Sequence, residues 1–487
     1  MRMSEARADQ PLWRRPVPED QDLAHQAEHM RRRHLLLDPR FPWDVDADVL
    51  DPMYHTGRTF WLLTVVLGGL AMMWFGTWLY QMYWGIGVTG LNRPVEWALY
   101  IVNFVYFIGI GHAGTFISAA LRVLKVEWRR PISRAAETLT LFALATAAMF
   151  PLVHLGRTWK FYWMIPYPNQ RGLWPNFHSP LLWDMMAIFT YLTGSILFMY
   201  LGLLPDLAMA RDHTRGWRHS LYNLISLGWR GTEREWAFHR TALNIFSYAI
   251  IPVMFSVHTI VSWDFAMSIQ PGWHSSIFGP YFVIGALFSG VAAVIIVLAI
   301  IRKGLHLEYF LREEHFDGMA KFLLILSLTW GYFYFNEYLL PWYANEPVMK
   351  VMYALLSHGW AAPLWFTMLI ANVVVPWLTL GFKRVRRSVT ALVLISLLVQ
   401  VGMYLERYII IPVGLGRNEL PFDWGRYIPN WPESVITVGA FALIGVLYVL
   451  ISRIFPLIPV WEVQEGQIFR RLRQVGRALI PTHEEAD

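Results

Sequence analysis

Apolar residues in this chain come in long runs, not at the spacing of a soluble amphipathic fold. Ten such segments lie near 59–83, 94–122, 135–156, 180–204, 241–263, 276–301, 319–343, 351–380, 388–412 and 433–455. Each is long enough for a helix crossing a bilayer core of about 30 Å, which needs roughly 20 residues. In lipid the backbone must satisfy its own hydrogen bonds, and continuous helices do so. The pattern therefore predicts an all-α integral membrane protein with about ten transmembrane helices. No internal repeat is visible by residue identity, although eight of the ten helices can pair as two four-helix bundles, leaving two peripheral helices.

The flanks differ in character. Residues 1–58 are polar, rich in Arg, Pro and Asp, and lack the apolar core of a signal peptide behind the first basic residues. They are expected to form a cytoplasmic tail before a transmembrane domain over 59–455, and residues 456–487 a second one. Within the latter, Trp461 to Arg477 is basic and partly amphipathic, which suits a helix on an anionic leaflet or a docking tail.

Charge sets the direction of threading. Of the 41 Lys and Arg residues, 33 fall on one side if the N-terminus is inside, seven fall outside, and Arg407 is left within a span. Basic residues collect in cytoplasmic loops, so both termini are expected in the cytoplasm, and a miscounted helix would scramble the asymmetry. The net charge of +6 is spread along these loops and gives no nucleic-acid-binding surface. The 25 Trp and 22 Tyr suit two interfacial belts. With no cysteine, the chain itself has no thiolate for a metal, an iron–sulfur cluster or a thioether-linked haem.

Gly109-Ile110-Gly111-His112-Ala113-Gly114 matches the dinucleotide fingerprint by letter. That fingerprint needs a strand, a tight turn and a helix N-terminus facing phosphate. Here it sits inside an apolar helix, where glycines serve close helix approach.

Ionisable residues at membrane depth are costly and mark substrate or proton paths. Most lie toward the outside. The third span ends in His154-Leu155-Gly156-Arg157, which places an imidazole and a cation three residues apart, on one face if the helix continues. The fourth opens with His178-Ser179-Pro180-Leu181-Leu182-Trp183-Asp184. Ser179 and Pro180 read as N-cap and first helical residue, so Asp184 lies about one turn inside, where the helix dipole favours its anion. Simple pairing with Arg157 is the plainer alternative. The fifth span brings His258 and, at its end, Asp264.

Two acids, an imidazole and a guanidinium on three consecutive helices suit chemistry that moves protons with electrons, as at a quinol. His154, Asp184 and Asp264 are the candidate catalytic residues, with Arg157, His178 and Trp183 as quinol-binding candidates. His112, Glu137, Thr138, Glu337, Glu406 and Arg407 make up the candidate proton path. Glu406 with Arg407 also reads as a structural ion pair, Glu137 as a partner of Arg134 or Arg130, and His112 as a packing residue. No metal site is expected.

Over residues 55–455 the chain resembles the NrfD-like, polysulfide-reductase-type membrane subunits. The resemblance rests on Arg93-Pro94-Val95-Glu96-Trp97-Ala98, Gly109 to Ser118, His154 to Arg157 and Asn176 to Asp184. Within that family it is most similar to the larger NrfD-like membrane component of alternative complex III. The resemblance implies a haem-free subunit of a bacterial inner membrane, built around two four-helix bundles, that binds menaquinol near the periplasmic face. Electrons would pass to a periplasmic iron–sulfur subunit and on to c-type haem subunits, beside a second NrfD-like membrane subunit, with proton translocation as a possible coupling. By motif His154 and Asp184 match the family's quinol-site positions, and Asp264 does so less closely.

Two other classes compete. Ten helices with buried charges also suit a secondary transporter, although transporter sites lie near the midplane at broken helices. A b-haem cytochrome needs two facing imidazoles at matched depth, and only His112 and His258 meet that condition. The threading direction is testable by fusion: a C-terminal green fluorescent protein is expected to fluoresce and a C-terminal alkaline phosphatase to be inactive. The reverse pair of results would invert every loop assignment.

Overall fold

The computed structural model describes residues 49–165, 178–468, 471–475 and 478–482. Most of the expected N-terminal tail, residues 1–48, and the loop 166–177, with Asn176 of the family-like motif, lie outside the described residues. Among the described residues, ten helices are long and apolar enough to cross a membrane: Arg58–Trp84, Leu99–Val123, Ser133–His154, Pro180–Asp212, Glu233–Ala266, Phe278–Gly304, Glu313–Tyr343, Ala362–Thr379, Val389–Val413 and Trp431–Ile451. They are called spans 1 to 10 below. The chain is a multi-pass, all-helical membrane protein, apart from a short antiparallel pair at Arg471–Val475 and Ala478–Thr482.

The eight inner spans form two rings of four. Span 2 packs on 3 and 5, and span 4 closes the ring against 3 and 5. Spans 6 to 9 repeat that connectivity, 6 on 7 and 9, with 8 against 7 and 9. The rings meet along spans 2, 5, 6 and 9, while spans 1 and 10 pair at the periphery against spans 2 and 3. Spans 2 and 6 at the shared wall are the most buried, at 83% and 72% of their apolar windows, against 17% for span 1.

Small residues permit that wall. A Cβ on Gly114 would lie 1.9 Å from the Ala136 carbonyl oxygen on span 3, and one on Gly290 would lie 2.0 Å from the Ala113 Cβ. These glycines let backbones approach where lipid offers no hydrophobic drive for association. The dinucleotide-like string is thus helix-packing sequence, and no strand precedes it among the described residues.

Several boundaries differ from the sequence pattern. Span 2 begins at Leu99 rather than near 94, because Pro94 to Trp97 form an irregular approach. The segment 351–380 is two helices, Pro347–His358 and the span proper from Ala362, broken at Gly359. The expected helix over Trp461 to Arg477 is short, Val460–Ile468. Its start is not laid on a lipid surface: Trp461 and Glu462 are 6% and 5% exposed. Glu462 accepts hydrogen bonds from Arg122 at 2.5 Å and Arg129 at 2.7 Å, while Trp461 donates its backbone N–H to Asp206 and its indole N–H to the Gly202 carbonyl. A basic rim facing an acidic helix outweighed amphipathic spacing.

Burial alone would raise the Glu462 carboxyl, but Arg129 and Arg122, with Arg130 and Arg134 beyond, hold it at about 2. Its stabilising contribution is therefore full above the ordinary carboxylate range and is lost as pH falls toward 2. Removing one partner of a buried ion cluster costs about 3–5 kcal/mol, so Glu462→Gln is expected to lower the Tm of the purified protein at pH 7. That gap should narrow as pH is lowered from about 5 to 3; a gap that stays constant would contradict the assignment. Gly114→Leu is expected to abolish accumulation of folded protein, whereas Gly109→Ala, whose Cβ meets nothing nearer than 3.5 Å, should accumulate as the parent does.

Candidate functional site

Antiparallel spans place the ends of odd-numbered spans and the starts of even-numbered ones at one end of the molecule. The opposite end carries the basic cluster of Arg122, Arg129, Arg130 and Arg134, and is called the basic end. At the far end Gln81 donates to the Val153 carbonyl at 2.8 Å, tying span 1 to span 3. Span 10 is fixed there by Glu433, which accepts from the backbone N–H of Gly90 at 2.7 Å and from the Tyr427 hydroxyl at 2.5 Å.

His154 is the last residue of span 3. Span 4 starts at Pro180, with Ser179 at the N-cap position but without a side-chain capping bond, and Asp184 follows just over one turn in. Asp264 lies in the last turn of span 5, next to Trp263, whose ring packs edge-on against Trp183 at 6.0 Å. That indole contact locks spans 4 and 5 where Asp184 and Asp264 interact electrostatically. Asp184 is 4% exposed. Its Oδ1, the Oδ1 of Asp264 and the Nδ1 of His154 are buried with no hydrogen-bond partner. Unsatisfied buried polar atoms are expensive in a protein interior, so three at one end of one bundle point to a ligand able to donate to them.

The remaining candidates are less central. Span 3 stops at His154, and Gly156 at φ +66 turns the chain. Arg157 is therefore exposed and does not share a helix face with His154. It forms no ion pair with Asp184 among the described residues, which removes the simple pairing reading. His178 is an exposed turn residue just before span 4.

Deeper in the same ring the aromatic groups form a stack. His112 lies parallel to Tyr191 at 4.6 Å and edge-on to His258 at 4.8 Å. Its Nδ1 bonds the Ile108 carbonyl at 2.6 Å, and Tyr191 donates to the His112 carbonyl at 3.0 Å. His112 Nε2 and both ring nitrogens of His258 have no partner. The two imidazoles touch directly, so no macrocycle fits between them, against the b-haem arrangement. His258 was not among the sequence candidates; its depth, matched to His112, was the signal that could have included it.

Toward the basic end, Ser118 donates to Glu137 at 2.5 Å, Arg134 approaches Glu137 at 3.9 Å and Asp206 at 3.1 Å, and Thr138 is spent on the Arg134 carbonyl. Asp206, fully buried, was also missed by sequence reading, hidden within an apolar run. Glu137 does not open to solvent: it is 6% exposed, beneath the helix carrying Glu462. In the second ring Glu406 and Arg407 do form an ion pair, with the Tyr281 hydroxyl donating to Glu406. Glu337 accepts from Ser275 at 2.6 Å. These two acids lie in the other bundle from Asp184. Among the described residues no group of three or more His, Cys, Asp or Glu side chains is arranged to hold a metal ion.

Known proteins share this architecture in sequence. The chain is 26% identical over 429 residues to a dimethyl sulfoxide reductase membrane subunit of Halobacterium salinarum, covering 80% of this chain and 90% of that one. It is 23% identical over 408 residues to a selenate reductase subunit of Mesobacillus selenatarsenatis, covering 78% and 90%. The family model described as polysulphide reductase, NrfD, matches residues 87–417, which takes in spans 2 to 9, both rings, and leaves out the peripheral pair. The chain therefore belongs to the NrfD, polysulphide reductase family.

Proposed function

We propose that this chain is the quinol-binding membrane subunit of a multi-subunit respiratory oxidoreductase, oxidising a quinol at the far end of the first ring. The observation carrying this reading is the set of unpartnered buried atoms, His154 Nδ1, Asp184 Oδ1 and Asp264 Oδ1, gathered by three adjacent spans at one membrane level. Quinol oxidation releases two protons and two electrons. The Asp184 carboxylate takes one hydroxyl proton and the His154 imidazole the other, with Asp264 as the next acceptor beside Asp184. Trp183 and Trp263 supply an aromatic wall for the ring, and Arg157 and His178 stand at the rim. The electrons leave to a partner protein, for which an iron–sulfur subunit docked on the far face is the fitting receiver.

Both named relatives are subunits of reductases, which supports electrons flowing from quinol through this chain's partners to a terminal acceptor. The resemblance to the larger NrfD-like component of alternative complex III supports the same half-reaction, with c-type haem subunits and a second NrfD-like subunit as partners and menaquinol as substrate. The distribution of basic residues supports a far end in the periplasm and both termini in the cytoplasm of a bacterial inner membrane. A polar line from Glu137 through Tyr191, His112 and His258 to Asp264 is the proton route that such a protein would use if it couples oxidation to translocation.

In the assembled complex Asp184→Asn and His154→Ala are each expected to lower quinol oxidation by about 100-fold or more, the range for losing a proton acceptor. Assembly and electron transfer among the partner's own centres should be retained. Normal turnover in both variants would overturn the site.

A further inference from the structure

The second ring contains a cavity that the quinol assignment does not use. It lies at the far end among spans 6 to 9 and the short helix Pro347–His358, walled by Tyr281, Tyr334, Glu337, Met352, Met368 and Glu406, with a volume of about 60 Å³. An outer cleft of about 240 Å³ shares Pro271 and Met352 with it and carries Arg417, Asn418 and Glu419 at the surface. The two spaces are thus continuous from the far face to the Glu406 carboxylate.

Volume decides what the inner space holds. A dry cavity that binds one benzene is about 150 Å³, and a water molecule takes up about 30 Å³. The inner cavity is too small for a quinol ring and has room for about two waters. It also offers the several polar partners that water needs: Glu337 beside Ser275, the hydroxyls of Tyr334 and Tyr338 bonded at 2.9 Å, and Glu406 beneath Tyr281. Toward the basic end the space stops. Trp330 stacks on Tyr334 at 4.8 Å, and Trp330, Phe288, Val399 and Met403 are all at most 1% exposed. The Arg407 guanidinium is held over Phe282 at 4.8 Å, against Gly285, where a Cβ would lie 2.9 Å from its Nη2.

We propose that the second ring carries a one-sided water inlet, open at the far face and ending on Glu406, through which Glu337 and Glu406 exchange protons with far-side water. In each exchange a hydronium gives its proton to a carboxylate and leaves water, or the reverse, while Arg407 keeps the counter-charge. The inlet stands apart from the quinol site, in a different bundle, and survives if that assignment fails.

Two buried methionines make the test internal. Met368 lines the cavity at 0% exposure, whereas Met403 lies in the floor at 1% and does not line it. Synchrotron radiolysis of the assembled complex in nanodiscs in ¹⁸O-water oxidises side chains beside bound water. Met368 is expected to incorporate ¹⁸O severalfold faster than Met403, without any need for turnover. Met352→Phe, which narrows the shared neck, should slow Met368 and leave Met403 unchanged. Equal rates at the two methionines would show a dry or ligand-filled cavity, and unchanged Met368 labelling in Met352→Phe would show a different route; either overturns the proposal.

Discussion

The constraint on which this structure rests is that a buried polar group in a membrane protein must find its partner inside the protein. Water is absent from the hydrocarbon, and an unpaired donor or acceptor there costs several kcal/mol. Most of the interior obeys this. Thr and Ser hydroxyls return to carbonyls one turn back, as at Thr138, Ser247 and Thr259. Gln81, Glu433 and Gln400 each bridge separate elements of the chain. Against that background the unpartnered carboxylate and imidazole atoms of the first ring stand out as groups held ready for something the protein itself does not contain.

The same constraint explains what was legible in the sequence. The number of spans could be read directly because lipid demands uninterrupted apolar helices, and the alternation of basic loops reinforced the count. The acids at Asp184 and Asp264 were visible because each sits close to a helix end, near enough to a loop for its depth to be judged. Asp206 and His258 were harder, since their meaning depends on which helix faces them. Asp206 matters through Arg134 on span 3 and Trp461 from the C-terminal helix, contacts 72 and 255 positions away in the chain. No local pattern encodes such a meeting.

Misreadings had local causes. The helical spacing that put Arg157 beside His154 assumed that the helix continues, and Gly156 ends it. The amphipathic spacing after Trp461 was real, but four guanidinium groups at the basic end offer Glu462 more than a leaflet surface does. In both cases a single short-range feature, a positive-φ glycine or a cluster of like charge awaiting an acid, overrode a periodic signal several residues long. The break at Gly359 follows the same logic: an apolar run can be long enough to span and still divide, leaving Pro347–His358 free to wall a cavity at the far end.

The two rings share one connectivity yet spend their polar residues differently. Acids occur at corresponding helix ends, Asp264 on span 5 and Glu406 on span 9, while His154 at the end of span 3 corresponds to Glu337 on span 7. In the second ring the buried acid is answered from within the chain, by Arg407 and Tyr281. In the first ring Asp184 and Asp264 face one another, two acids without a cation between them. Like charges at short range oppose joint ionisation, so that pair is poised to hold protons singly and pass them on, whereas the Glu406 pair is poised to stay charged. A common scaffold thus yields one ring suited to taking protons from a bound donor and one suited to holding a fixed charge beside water. The difference lies in whether a guanidinium occupies the neighbouring helical position.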